Sequence, residues 1–245
     1  MRELSKSIIR RRSNARFITD YFVGFGIDIG GKPDPLILYA ELFPGIKDVR
    51  VWDLEDGDAE YMAGVPDESF DFVHSSHCLE HLRDPYQGLL NWFRILKPNG
   101  HLILTVPDED LYEQGAWPST YNYDHKWTFT INKIESWSPK SINIFELISS
   151  LGVACETKKI ELLDSEYRYK LPRFDQTATP VAECSIEVIL RKRSSEEINA
   201  KGSVKSQNQP DPLSRQHYNQ YIDDYRNMKK SNLSSPPFSN LEDLK

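Results

Sequence analysis

Between Gly24 and Arg193, apolar positions follow two alternating patterns. Short runs bounded by Gly, Asp and Pro read as strands: Gly26-Ile27-Asp28-Ile29-Gly30, Val49-Arg50-Val51-Trp52, Phe70-Asp71-Phe72-Val73-His74, and His101 to Val106. Between them, apolar residues recur at helical spacing. Asp34-Pro35 offers an N-cap and a proline at the first helical position, followed by Leu36, Ile37, Tyr39, Ala40 and Phe43 on one face. Asp84-Pro85 does the same for Leu89, Leu90, Trp92, Phe93, Ile95 and Leu96, and Ser138-Pro139 for Ile142, Phe145, Leu147, Ile148 and Leu151. Pro44-Gly45, Lys97-Pro98-Asn99-Gly100 and Gly152 stop these helices. Two late strands, near 154–163 and 183–191, have no helical pattern between them, which predicts an antiparallel pair at one edge. The whole pattern predicts an α/β fold with a doubly wound, mostly parallel sheet.

The two ends of the chain read differently. The first 16 residues carry five arginines and one lysine around Leu4, Ile8 and Ile9. Glu3 and the lack of a cleavage-like end argue against a transit peptide, so a cationic surface helix packed through those three residues is expected. After Ser194 the composition turns to Lys, Ser, Asn, Gln and Pro, as in a linker. Within that polar tail Asp211-Pro212 opens an amphipathic helix with a stripe of Tyr218, Tyr221, Ile222, Tyr225 and Met228. It is too weakly basic for a membrane surface. Docking on the same chain, or homo-oligomer formation through this helix, is expected instead. The organisation is therefore a basic helical segment at 1–23, one main domain at 24–193, and a linker with a helix at 194–245.

Composition narrows the function. The 245 residues are 39% hydrophobic and 11% aromatic, enough for one domain with a core. A net charge of -7 disfavours nucleic acid as a partner, because such domains neutralise phosphates. No apolar run approaches the ~20 residues of an integral membrane segment. Cys78, Cys155 and Cys184 are too scattered for a disulfide framework, which suggests a reducing, cytoplasmic setting.

Ligands of open parallel sheets bind beyond the carboxyl ends of the strands. Three stretches sit there: Asp28-Ile29-Gly30-Gly31-Lys32, then Asp53, and Ser75-Ser76-His77. A Gly-Gly turn with an acid 23 residues after Gly30 suits a dinucleotide or an adenosylmethionine site. A tight turn followed by a surface aspartate is the plain structural alternative. His77 and His81 are spaced i, i+4, as on one helical face. His74 belongs to a strand and no second ligand cluster is visible in the sequence, so His77 and His81 read as site-lining and no metal is expected. Residues 107–135 form a long connection containing Tyr112, Trp117, Tyr121, Tyr123, Trp127 and Phe129. Connections of that length are usually functional, and aromatic faces suit sugar rings. A satellite hydrophobic cluster would explain the same residues. Asp124-His125-Lys126 is the polar insert, making His125, and then His81, the candidate catalytic residues for a hydroxyl acceptor.

A longer block of motifs joins these pieces. Gly57-Asp58-Ala59-Glu60, Val65-Pro66-Asp67-Glu68-Ser69-Phe70-Asp71-Phe72-Val73, Ser75-Ser76-His77-Cys78-Leu79-Glu80-His81-Leu82 and Leu96-Lys97-Pro98-Asn99-Gly100-His101-Leu102 occur in that order. Together they resemble the class I S-adenosylmethionine-dependent methyltransferases, in the small-molecule branch called type 11. The resemblance implies a Rossmann-like fold and S-adenosylmethionine as cofactor. It implies that Asp28, Gly30 and Gly31 line the methionine part, that Asp53 (or Glu55) holds the ribose, and that Asp58 with the Ala59 backbone meets the adenine. Ser76 and His77 would lie beneath the sulfonium. Lys32 and Asp34 stand where the family has further glycines, and only four residues separate Asp53 from Asp58. Likeness to cell-surface sugar tailoring enzymes implies a small-molecule or saccharide acceptor, a hydroxyl of a saccharide or glycolipid, and so polysaccharide biosynthesis. Two rival readings share some of these features: an NAD(P)-dependent oxidoreductase, and a degenerate methyltransferase fold serving as an interaction module.

Overall fold

The computed structural model describes residues 3–203 and 212–230. The chain divides into two units, 1–202 and 203–245. In the first, a six-stranded sheet carries the order β2-β1-β3-β4-β8-β7. Its strands are β1 (Gly24–Ile29), β2 (Ile46–Trp52), β3 (Phe70–Ser76), β4 (Leu96–Pro107), β7 (Cys155–Leu163) and β8 (Ser185–Lys192). β2, β1, β3 and β4 pair in parallel, while β8 runs antiparallel to both β4 and β7. The expected antiparallel edge pair is therefore present. A small parallel pair, β5 (Thr128–Thr130) with β6 (Ser141–Asn143), lies in a second sheet.

The period of two along each strand divides the core between the two faces of the sheet. Leu102, Leu104 and Val106 of β4 join Ile186, Val188 and Leu190 of β8 in one cluster. Helix α2 (Pro85–Arg94) and helix α3 (Ile144–Ser149) contribute Trp92, Leu147 and Ile148 to the same cluster. Ile103 and Ile189, one position out of phase, join Phe72, Phe17, Phe22, Leu36 and Phe43 on the other face, together with Leu4 and Ile8 of α1 (Leu4–Arg12).

The second face also carries a polar row. Asp28 pairs in register with His74, and Thr105 with Glu187. All four are buried. Arg11 of α1, fully buried, closes the row: its Nε donates to Glu187 Oε2 at 2.9 Å, one guanidinium nitrogen to Thr105 Oγ1 at 3.0 Å, and the other to His74 Nε2 at 3.0 Å. Arg10 adds hydrogen bonds to Glu187 and Glu183. Helix α1 is thus not the surface helix its charge suggests. Leu4 and Ile8 pack as expected, but Ile9 is 77% exposed, because the face centred on Arg11 is the one turned to the sheet. Burial raises the Glu187 carboxyl, but Arg11 and Arg10 outweigh it and hold it at about 2.

Some expected elements differ. After Asp34-Pro35 the chain forms a 3-10 helix, Leu36–Leu42, with no side-chain cap. The Asp34 carboxylate instead accepts from Ser5 N and Tyr39 Oη. Asp84 does cap α2, accepting from Tyr86 N and Gln87 N. Ser138-Pro139 opens no helix: β6 intervenes, and Asn143 caps α3. The polar stretch after Ser194 begins with a helix, α4 (Ser195–Ala200), because Ser194 and Glu197 form a capping box. Among the described residues of the second unit, α5 (Pro212–Lys230) is helical as the stripe predicts, with Tyr221 and Met228 about half exposed; the Tyr218 side chain lies outside the described residues. The three cysteines are free thiols.

Candidate active site

Two connected hollows open at the carboxyl ends of β1, β2 and β3. The outer is a cleft of about 670 Å³ lined by Gly30, Trp52, Asp53, Gly57, Asp58 and Ala59 among others. The inner is a cavity of about 190 Å³ lined by Asp28, Gly31, His74, Ser76, Glu80 and His125, with Glu3 and Leu4 of the N-terminal segment at one wall. Gly30, Lys32, His77 and His81 belong to both linings. Apart from Glu55, every residue that the sequence singles out for cofactor or catalysis therefore reaches one hollow or the other.

The glycine turn is shaped by what lies against it. Gly30 has φ +71°, and a Cβ there would stand 2.7 Å from Cys78 Cβ. A Cβ on Gly31 would stand 2.6 Å from Asp28 Oδ2. Asp28 is committed on both oxygens: Oδ2 accepts from Leu36 N at 2.7 Å and Oδ1 faces His74 Nδ1 at 2.6 Å. Arg11 can only donate, so His74 Nε2 accepts from it, and His74 Nδ1–H donates to Asp28.

Asp53 and Asp58 frame the outer cleft. Asp53 Oδ2 accepts from Lys32 N at 2.9 Å and Oδ1 from Leu54 N, which fixes the carboxylate and leaves lone pairs on both oxygens. Glu55, the alternative ribose residue, pairs with Lys32 and is not part of the cleft lining. Asp58 Oδ1 accepts from Glu60 N, and Oδ2 from Arg83 at 3.1 Å. The Ala59 carbonyl is taken by Trp92 Nε1 at 2.8 Å, so its other backbone group, the N–H, is the one left for a ligand.

One wall of the inner cavity is built by docking the long connection onto the turn after β3. Lys126 N donates to Glu80 O at 2.9 Å, Lys126 Nζ to His81 O, and Trp127 Nε1 to Leu82 O at 3.0 Å. These contacts carry His125 to His81, ring centroids 5.0 Å apart. The sequence neighbour Asp124 serves His81, whose Nδ1 lies 2.9 Å from Asp124 Oδ2. His125 Nδ1 instead faces Glu113 Oε1 at 2.9 Å. Glu113 ends a short π-helix, Glu109–Glu113, capped by Asp108. Burial raises the Asp108 carboxyl to about 6 despite the N–H groups of Leu111 and Asp110.

His77 and His81 do not share a helical face. His77 precedes the 3-10 turn Leu79–His81 with φ +54°, and its Nδ1 lies 3.4 Å from Glu80 Oε1. Burial works against charge on both. Glu80 nonetheless raises the His77 pKa, and the histidines around Glu80 (His77, His81 and His125) lower that of Glu80. Glu80 and Glu113, both buried, were not picked out from sequence. Glu80 had a signal in its position between His77 and His81. Glu113 had none, since the twelve residues to His125 carry no periodic link.

A family model described as "Methyltransferase domain" matches residues 42–104. An uncharacterized methyltransferase of Schizosaccharomyces pombe is 33% identical over 64 residues, which is 26% of this chain and 22% of that relative. The match thus spans about a fifth of the curated relative. A crystal structure of an S-adenosylmethionine-dependent methyltransferase from Archaeoglobus fulgidus superposes with a TM-score of 0.50 at 20% identity, covering 78% of this chain and 95% of that one. Residues 42–104, which run through β2, β3 and most of β4, thus match the methyltransferase domain family, and the fold around them is that of the class I S-adenosylmethionine-dependent methyltransferases.

Proposed function

We propose that this chain moves the methyl group of S-adenosylmethionine to a small polar acceptor, with a hydroxyl of a saccharide or glycolipid as its class. The observation that carries the proposal is the outer cleft. Its residues fit the cofactor: a glycine turn where a Cβ would collide with its surroundings, an anchored Asp53 carboxylate at the end of β2, and Asp58 beside the unspent Ala59 N–H. When bound, the cofactor supplies an activated methyl on a sulfonium with a neutral thioether as leaving group.

The chain's own residues do the rest. Asp53 holds the ribose diol, and Asp58 with Ala59 N–H takes the adenine amine and ring. Asp28, Gly30 and Gly31 border the methionine end, with Ser76 and His77 beneath the sulfonium. His81 and His125 receive the acceptor at the inner cavity, where its oxygen attacks the methyl carbon in line with the breaking C–S bond. Its proton leaves on the histidine side. Such positioning supplies about 7–11 kcal/mol of a barrier. Of the aromatic residues in the long connection, Tyr112 borders the inner cavity, while Tyr121 packs beside it in a satellite cluster with Leu111, Ala182 and Cys184.

A thermal-shift comparison tests the reading. S-adenosylhomocysteine at 100 times its Kd stabilises the folded chain by about 2.7 kcal/mol and NADH by nothing. Stabilisation by NADH alone would favour the oxidoreductase reading, and stabilisation by neither nucleotide would favour an interaction module.

A further inference from the structure

Glu80 presents a problem that the methyl-transfer reading leaves unsolved. Its side chain is fully buried, and neither carboxylate oxygen has a hydrogen-bond partner. His77 Nδ1, at 3.4 Å, lacks the geometry of a hydrogen bond to it. His125 Nε2 stands 3.9 Å from Glu80 Oε1, beyond hydrogen-bond reach. One side-chain donor atom from each of Glu80, His81 and His125 lies within 4.8 Å of the others. A buried carboxylate left unpartnered among lone-pair atoms is costly unless a cation or a proton joins them.

The arrangement around the three residues is that of metal ligands. His125 turns Nδ1 to Glu113 Oε1, so Nδ1–H donates there and Nε2 keeps the lone pair facing Glu80. His81 Nδ1 is held by the Asp124 backbone carbonyl at 3.3 Å, with the Asp124 carboxylate 2.9 Å away. A carboxylate or backbone carbonyl behind a ligating histidine fixes the tautomer and strengthens the donor. Two histidines and one carboxylate form a set for a divalent transition metal, and leave coordination positions open. Donors bound at about 2.0–2.1 Å in a tetrahedron sit about 3.4 Å apart. The present spacing, 3.9 Å between His125 Nε2 and Glu80 Oε1 and within 4.8 Å for the trio, is wider than that, so binding draws the three side chains together.

We infer that Glu80, His81 and His125 bind one divalent transition-metal ion, such as zinc, at the floor of the inner cavity. Its binding stands on these residues alone. Its role rests on the methyl-transfer reading: an open position facing the cavity takes the acceptor hydroxyl and lowers its pKa, so that the proton leaves to solvent and the alkoxide oxygen attacks. His81 and His125 then meet the acceptor through the ion, and Glu113 and Asp124 act as positioning residues.

The test uses the full chain, stripped with a chelator and titrated with cobalt(II) and then zinc. We expect one cobalt per chain, a visible d–d absorption band, and its displacement by zinc. Glu80→Gln and His81→Ala abolish the band. Glu113→Gln, which keeps the shape of the pair, weakens binding by about 10–100-fold. S-adenosylhomocysteine titration calorimetry on each variant reports folding and the cofactor site separately. No cobalt uptake by a wild-type chain that binds S-adenosylhomocysteine overturns the metal and leaves methyl transfer standing. Uptake unchanged in Glu80→Gln and Glu113→Gln overturns the assignment of the ligands. Metal uptake without S-adenosylhomocysteine binding keeps the site and removes its role in methyl transfer.

Discussion

Asp53 is held by two backbone donors, Lys32 N and Leu54 N, before any ligand arrives. That preorganisation is what a ribose contact needs, and a charge-assisted hydrogen bond is worth about 1.5–3 kcal/mol. Asp53→Ala therefore weakens S-adenosylhomocysteine binding at least ~tenfold by calorimetry, while Glu55→Ala leaves it near wild type. The reverse ranking would move the ribose to Glu55. Gly30 is constrained more tightly. At φ +71° with Cys78 Cβ 2.7 Å from an added Cβ, Gly30→Ala lowers unfolding free energy by about 1–3 kcal/mol in a urea titration. An unchanged midpoint would show that the turn relaxes freely. The residue scale is also where sequence reading was least complete. Asp53, Asp58 and His125 can be singled out as candidates because each stands beside a motif. The partner of His125 cannot, since Glu113 reaches it through a capped π-helix and a docked loop rather than through any local spacing.

Helix α1 shows why charge along an element can mislead. Its basic residues predict a solvated face, yet Arg11 is fully buried because Glu187, 176 positions later, awaits it on β8. No window of sequence contains both. The strands, by contrast, were legible, because alternation is local and each begins or ends at Gly, Asp or Pro. Removing one member of a buried ion pair typically costs 3–5 kcal/mol. Arg11→Met should destabilise the fold by about that amount. It should also weaken cofactor binding, since Arg11 fixes the His74 tautomer that donates to Asp28. Destabilisation with unchanged affinity would sever α1 from the site. The Glu187 carboxyl, held at about 2 against an ordinary 4.5, is a depressed acid. Its stabilisation is complete above pH 4.5 and is lost as pH falls toward 2. Urea midpoints at pH 7, 4 and 2.5 should fall across that window in the wild type and change less in Glu187→Gln. Parallel pH dependence in the two proteins would assign the acid lability to other carboxylates.

At the scale of the molecule, every residue placed at the two hollows lies in the unit 1–202. Its boundary falls after α4, whose Glu197 pairs with Arg191 of β8 at 2.7 Å, so a truncation at Ser194 would cut into the domain. Deleting residues from Ser203 onward should leave melting temperature and S-adenosylhomocysteine affinity unchanged. A loss of affinity in a folded truncation would make the second unit part of the site. No helix among the described residues is long and apolar enough to cross a membrane, and the family match at 42–104 runs through β2, β3 and most of β4 but not β1. The central claim is that the cofactor lies across the ends of β1 and β2, and a crystal structure of the chain with S-adenosylhomocysteine tests it most directly. The account predicts ribose hydroxyls on Asp53, the adenine edge between Asp58 and Ala59 N–H, and the thioether sulfur at the junction formed by Gly30 and His77. Adenosine bound elsewhere, with the outer cleft left to solvent, would contradict it.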